Sequence, residues 1–332
     1  MKRLILILLL VSGSVFAQSE LGYQTPPKMM ADLVDAPRRP GAAISDDKQW
    51  VALLHRPGAP GIAELAQPEE KLAGLRINPL IFGPSRSRGY TGVELRSLLN
   101  EEKVDISDLP EGKVMNVSFS PDSSNLAFIL ETSEGLFLWN YSLETGKTSQ
   151  VTSRLINASL GGSKFRWKHD SSGFYTRLAV KTADQKPVQT LTDIKPVIQT
   201  TTGEKAAVRT YSNLLKTPHD ENLFEFLATS QIAEISLNGK VELLGKAGMY
   251  KTYNASPDGQ YLLVSQIQKP FSYLVPQYRF PLLTEVWTAS GKLVTEVADL
   301  PSGETIPKGF DSVIEGRRSI GWRGDKAATL VW

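Results

Sequence analysis

The 332-residue sequence contains no cysteine. That absence excludes a disulfide framework, thiolate metal ligands, a cysteine nucleophile and the lipidated cysteine of a lipoprotein, so the chain must be held together by core burial. Histidine is scarce: His55, His169 and His219 are the only three, scattered along the chain. They lack the clustered partners of a zinc site. His169-Asp170-Ser171 is contiguous, whereas triad side chains converge from distant segments. Long apolar runs are missing as well. The longest candidate, Leu4 to Val11, falls short of the roughly 18 residues a membrane-spanning helix needs. Charge of one sign is also lacking: without Lys2 and Arg3 the basic residues equal the 35 acidic ones. Such a balance gives no electrostatic reason to expect nucleic acid or an anionic membrane as partner.

The start of the chain, MKRLILILLLVSGSVFA, has a basic beginning, a short apolar run and small residues at its end. This is the pattern of a secretory signal peptide over residues 1–17, cleaved after Ala17, and it predicts an exported protein, periplasmic or secreted. The remainder, 18–332, is longer than one compact core usually holds and suits two domains or a repeat architecture.

Repeats decide between these. AAISDDKQWVALL (42–54), VSFSPDSSNLAFI (117–129), FRWKHDSSGFYTRL (165–178), YNASPDGQYLLVS (253–265) and IGWRGDKAATLVW (320–332) share an apolar entry, an Asp in a small polar turn and an alternating apolar exit. Proline presets the turn, Asp bonds its own backbone, and Gly or Asn takes the left-handed conformation. The turn aspartates are read as Asp46, Asp122, Asp170, Asp258 and Asp325. Second hairpins follow, turning at Thr145-Gly146, Asn238-Gly239 and Ser290-Gly291. Two hairpins per period make a four-stranded antiparallel blade, so the expectation is an all-β chain, a β-propeller of about four blades plus part of another. Most intervals between turns exceed the roughly 40–50 residues of compact blades, which places insertions between strands. LAQPEEKLAGLRI (65–77) reads as a short helix starting at Pro68 and stopping at Gly74. Within the polar stretch from Lys181 to Asn222, a helical turn is expected to close at Pro218. The last unit stops at Trp332 after one hairpin, which reads as an incomplete propeller.

The phrases YQTPPKMMADLVDAPRRP, IAELAQPEEKLAGLRINP, SRSRGYTGVEL, VRTYSNLLKTPHDENLFEFLATSQ, KPFSYLVPQYRFP and SIGWRGDKAATLVW resemble the prolyl oligopeptidase family of serine peptidases, closest to its glutamyl endopeptidase-like branch. The resemblance runs from about Tyr23 to Trp332. It implies an N-terminal propeller that limits substrate access to a Ser-Asp-His triad on a C-terminal α/β-hydrolase domain. That domain is expected to be absent from 18–332, because no Gly-x-Ser-x-Gly elbow occurs in the sequence. The chain is accordingly expected to carry no catalytic residue, to need no cofactor or metal, and to be inactive alone. Its partner would be a peptide or protein substrate, reached through the missing hydrolase domain. The alternative is a stand-alone exported propeller that binds proteins.

Few residues invite a site reading. Gly161-Gly162-Ser163-Lys164 lacks the leading glycine of a nucleotide loop and reads as a loop before a strand. Trp139, Trp167, Trp287 and Trp322 fall in strands or at their entries, where sheet aromatics are the plain explanation. Arg76, Arg86 and Arg88 fall in and after the first insertion, and arginine holds carboxylates through paired donors. If the parent cleaves after glutamate, as the resemblance implies, these three are candidates to hold the substrate's acidic side chain. The competing reading is a surface cluster balancing Glu64, Glu69 and Glu70.

Overall fold

The computed structural model describes residues 25–87, 89–190, 210–306 and 312–332. The expected signal segment 1–17 with its cleavage point after Ala17, and the candidate Arg88, lie outside the described residues. The repeated turn is built alike in three units. Ser120 Oγ donates to Asp122 Oδ1 at 2.5 Å and accepts from the Asn125 N–H at 3.0 Å, closing the loop around a left-handed Ser123. Ser256, Asp258 and Tyr261 repeat this geometry. In the first unit Ser45 bonds Asp47, with Trp50 N–H on the serine, so the turn residue is Asp47 and not Asp46. The correction has a local cause: the serine must stand two residues before the carboxylate that it caps, and Lys48 then takes the left-handed position at φ 61°.

These turns join antiparallel strands into four-stranded groups. The first is β1 (Arg38–Ile44), β2 (Trp50–Arg56), β6 (Gly92–Ser97) and β7 (Lys103–Asp105), with a small sheet of β3 (Glu70–Leu72), β4 (Leu75–Asn78) and β5 (Gly83–Pro84) inserted after β2. The second is β8 (Lys113–Phe119), β9 (Asn125–Glu131), β10 (Leu136–Ser142) and β11 (Lys147–Gln150). A seven-stranded sheet follows: β12 (Phe165–Trp167), β13 (Gly173–Ala179), β14 (Ser230–Ser236), β15 (Val241–Ala255), β16 (Tyr261–Ile267), β17 (Leu282–Thr288) and β18 (Leu293–Leu300). It is two groups sharing one strand, since β15 pairs with β14 up to Gly248 and with β16 from Met249. A final hairpin joins β19 (Gly321–Trp322) to β20 (Leu330–Val331).

The groups are the blades of a β-propeller, packed face to face. Alternate residues of β9 point to opposite neighbours: Leu126, Phe128 and Leu130 pack on Ala52, Leu54 and Leu95 of the first blade, whereas Ala127 and Ile129 pack on Phe174 and Ile235 of the third. Second strands therefore read as nearly continuous apolar runs. Fourth strands such as β11 and the start of β18 are exposed, as outer edges should be.

Antiparallel alternation sends the connections after first and third strands to one end, and the others to the opposite end. At the turn end the two hairpins of each blade are tied by a backbone bond, such as Leu143 N–H to Ser124 C=O at 3.0 Å. At the opposite end the long insertions meet. Leu72, Ile77 and Phe82 from the first blade, Leu223, Phe224 and Leu227 from the third, and Val275 and Phe280 from the fourth share one apolar cluster.

Two helix expectations fail in this layer. In place of the expected helix over 65–77, residues 70–78 form the β3–β4 hairpin, because Ala73 and Gly74 both take left-handed φ (50° and 83°), matching a tight turn whose twist suits flanking strands. Glu64 belongs instead to a four-residue helix, Ile62–Leu65, before it. Pro218 opens rather than closes its helix, Pro218–Ala228. Proline has no N–H to lose at a first turn, and Thr217 caps it by accepting from Asp220 N–H at 3.2 Å.

Candidate functional site

The insertion layer brings together two of the three arginines singled out by sequence. On β4, Leu75 and Ile77 turn inward, leaving Arg76 between them on the outer side, and Arg86 follows β5. Both meet Glu69. Arg76 Nη1 lies 2.9 Å from Glu69 Oε1, Arg86 Nε 3.3 Å from Oε2, and Lys71 Nζ 3.7 Å from Oε1. Ser85, itself buried, donates to Oε2 at 2.6 Å. The Ser85 hydroxyl holds the Glu69 carboxyl below its ordinary range; burial opposes this, and Arg76, Arg86 and Lys71 add to it. A glutamate side chain thus occupies a cradle of one hydroxyl and three cations.

The cradle is not saturated. A guanidinium carries five N–H donors, and Arg76 and Arg86, with side chains 42% and 54% exposed, use only part of them on Glu69. The outer donors can take a second carboxylate. The other acids of the insertion have their own partners: Glu64 pairs with Lys113 at 2.8 Å, and Glu70 with Lys186. The pairing of Arg76 and Arg86 with Glu69 matches the charge-balancing cluster that sequence offered as the competing reading, and Ser85 and Lys71 are members that sequence reasoning missed. The alternation of Leu72, Leu75 and Ile77 around Ala73-Gly74 was the available signal for the hairpin that aligns them.

The histidines stay apart. His55 lies next to the end of β2 with Nε2 3.8 Å from Glu94, His169 lies in the third turn, and His219 in the first turn of its helix. Among the described residues no three His, Asp or Glu side chains are grouped so as to hold a metal ion, and no helix is long and apolar enough to cross a membrane. The tryptophans belong to the sheets: Trp287 is buried, and Trp167 and Trp322 donate to Ser118 and Asn254 carbonyls on the preceding blade at 3.2 and 3.0 Å.

No protein-family model matches the chain. It is 36% identical over 326 residues to a probable chloroplastic glutamyl endopeptidase of Oryza sativa subsp. japonica, covering 94% of this chain and 34% of that protein. The corresponding Arabidopsis thaliana protein is also 36% identical, over 93% of this chain and 33% of its own length. The chain therefore spans about a third of the length of the curated relatives it matches. Among solved structures, a Pyrococcus horikoshii acylaminoacyl peptidase superposes on 80% of this chain and 33% of its own, with a TM-score of 0.44 and 12% identity. The β-propeller domain of the Trilobed protease from Pyrococcus furiosus superposes on 79% of this chain and 57% of its own, with a TM-score of 0.41 and 12% identity.

Proposed function

The chain is a relative of the glutamyl endopeptidases of the prolyl oligopeptidase family, and from that premise we propose that residues 18–332 are the propeller that admits peptides to a serine endopeptidase. Hydrolysis would be carried out by an α/β-hydrolase domain in a longer polypeptide, and the propeller by itself would cleave nothing. The leader at residues 1–17 would send the enzyme to the periplasm or beyond.

The observation that carries this reading to a substrate class is the occupied cradle at Glu69. A cluster that holds one γ-carboxylate, with exposed guanidinium donors to spare, suits the recognition of glutamate in a passing peptide. Arg76 and Arg86 would hold that side chain.

Two measurements test the proposal. The intact mass of the protein recovered from producing cells should lie far above the 36.5 kDa of this chain; a species slightly below it, beginning at Gln18, would leave export standing and remove the endopeptidase reading. In an intact enzyme, Arg76→Gln with Arg86→Gln should lower the preference for Glu over Gln substrates by about tenfold, the effect of losing one charge-assisted contact. An unchanged preference removes the role of the arginines.

A further inference from the structure

A second cationic site lies on the inner wall, where each blade presents its first strand. The first strands β1, β8, β12 and β19 and the inner half of β15 contain no Asp or Glu. They carry Arg38, Arg39, Lys113, Arg166 and Lys251, and Lys164 immediately precedes β12. Some of these cations are neutralised: Lys113 pairs with Glu64, and Lys168, just after β12, with Glu234 at 2.7 Å. Lys164, Arg166 and Lys251 have no ion pair among the described residues.

All three flank the Gly161–Lys164 loop along the backbone: Lys164 ends it, Arg166 follows two residues on, and the Lys251 carbonyl would lie 3.6 Å from a Cβ at Gly162. Antiparallel pairing puts Arg166 opposite Tyr175, on the face of β12 that looks toward the fourth blade, while Lys164, just before the strand, lies within electrostatic reach of Arg177 and of Glu131 on the second blade. The inner strands on either side are bulged beside this loop. In β8 the register slips between Met115 and Ser118, and Asn116, left-handed at φ 54°, accepts from Lys164 N–H at 3.5 Å. In β15 it slips between Tyr250 and Thr252, leaving Lys251 as the extra residue. A bulge turns a side chain out of the sheet's alternation, and here it redirects a lysine. Gly161 and Gly162 both adopt positive φ, and a side chain added at Gly161 would meet open space.

The loop is anchored from behind. Arg177, 1% exposed, donates Nη2 to Gly161 C=O at 2.5 Å and Nη1 to Tyr250 C=O at 2.6 Å, and its guanidinium lies 5.7 Å from the Tyr253 ring centroid. Tyr253 in turn donates to Ser163 C=O at 3.0 Å. Among the described residues no acid pairs with this buried cation, so its charge adds to the local positive field. Burial, with the Arg177 charge beside it, pushes the Lys164 ammonium down, Glu131 partly opposing, and burial pushes Lys251 down too. Among the described residues neither lysine has a carboxylate within ion-pair distance, and Glu131 acts on Lys164 only from farther off.

We propose that Lys164, Arg166 and Lys251 form a carboxylate-binding site for an acidic polypeptide segment lying along the inner wall, separate from the cradle at Glu69. The cations are spread along one strand and onto the next blade, a layout that suits spaced carboxylates of an extended peptide. A compact phosphate nest is disfavoured, because Gly161 N–H is already committed to Ala158 C=O at 3.0 Å. The site rests on the endopeptidase reading only for the source of the peptide.

The test is fluorescence anisotropy with the secreted form of this chain and a fluorescein-labelled peptide alternating Glu and Ala, against its Gln counterpart. The Glu peptide should bind about tenfold tighter, and the advantage should shrink as salt rises and screens the exposed charges. Arg166→Gln with Lys251→Gln should remove it, whereas Arg76→Gln with Arg86→Gln should leave it. Arg166 is exposed, so Arg166→Gln alone, with an unchanged urea midpoint, should weaken Glu-peptide binding several-fold without a folding defect. Equal binding of the two peptides, or loss only in the Arg76 and Arg86 variant, overturns the inner-wall site. Neither result depends on cleavage, so the site can fail while the endopeptidase reading stands.

Discussion

The backbone N–H of Asp122 donates to Ser171 Oγ at 3.0 Å, joining the turn of the second blade to that of the third. The same relation ties Asp47 N–H to Ser123 Oγ at 3.1 Å, one blade earlier. Ser123 and Ser171, left-handed in the second and third turns, therefore each serve two blades: the backbone closes its own turn, and the hydroxyl receives the preceding neighbour's N–H. In the fourth blade Gly259 holds this place and has no hydroxyl, while Asp258 N–H donates to Ala327 C=O at 3.1 Å in the last hairpin.

Ser171→Ala should lower stability by about 1 kcal/mol, the usual net worth of one such bond. Ser171→Gly loses the same bond but relieves the φ of 58°, so its loss should be smaller. Urea midpoints at constant m-value check the order; equal stability of both variants and the parent would remove the link between blades as a stabilising contact.

Acid should loosen the turn end first. Ser45 and Ser256 hydroxyls lower Asp47 and Asp258, Ser172 lowers Asp170, and Arg323 lowers Asp325. At Asp122 burial acts upward, yet bonds from Ser120, Ser124 and Ser171 outweigh it. A carboxyl depressed by folding contributes stability that is complete above its unfolded value, about 3.9, and is lost as pH falls through the lower folded value. Stability should hold from neutrality to about pH 5 and fall below about pH 4, with a shallower acid limb in Asp170→Asn. An identical limb in that variant would assign the acid loss elsewhere.

Gly74→Val should unlock the insertion layer. Gly74 has φ 83°, and a Cβ there would lie 2.5 Å from Pro276 Cβ of the fourth-blade insertion. A loss of about 2 kcal/mol or more is expected from strain and overpacking together. Limited proteolysis should then cut within the insertions before the blades; unchanged resistance would show that the layer tolerates the shift.

Arg177→Met should destabilise by about 2–3 kcal/mol, since it removes two charge-assisted bonds and leaves the buried Tyr250 carbonyl and the partly buried Gly161 carbonyl without their donor. Arg177→Lys should not restore the midpoint, because an ammonium lacks the fork that spans both carbonyls.

Much of the blade pattern was legible because it is written locally. An apolar entry, an aspartate in a short polar turn and period-two alternation on the exit strand specify a hairpin without reference to the rest of the molecule, although the left-handed place assigned to Gly or Asn falls to Lys48, Ser123 and Ser171 in the first three turns. The failures are equally local. At 65–77 the acidic residues after Pro68 mimic a helix start, but Ala73-Gly74 can form a two-residue hairpin turn and the strands pack Leu72 and Ile77 inward. At Pro218 a residue able to end a helix also begins one, and Thr217 three residues before Asp220 was the distinguishing sign. At Asp46-Asp47 two adjacent carboxylates competed for one turn, and the bond to Ser45 chose the second.

By itself the sequence determined most blade strands and hairpin turns, the β-propeller class and the kinship with glutamyl endopeptidases, because each depends on short-range chemistry or on direct comparison of residues. Only the tertiary structure decided which segments meet. Alternating strand direction delivers insertions distant in sequence to one end, where Arg76 and Arg86 close on Glu69. Packing of the third blade against the fourth buries Arg177 behind Gly161, and two bulges bring Asn116 and Lys251 beside the same loop. The Arg76 and Arg86 meeting with Glu69 is made within one insertion by the β3–β4 hairpin, whereas the contacts around Arg177 and between insertions follow from the stacking of sheets across long sequence separations, which no local pattern encodes.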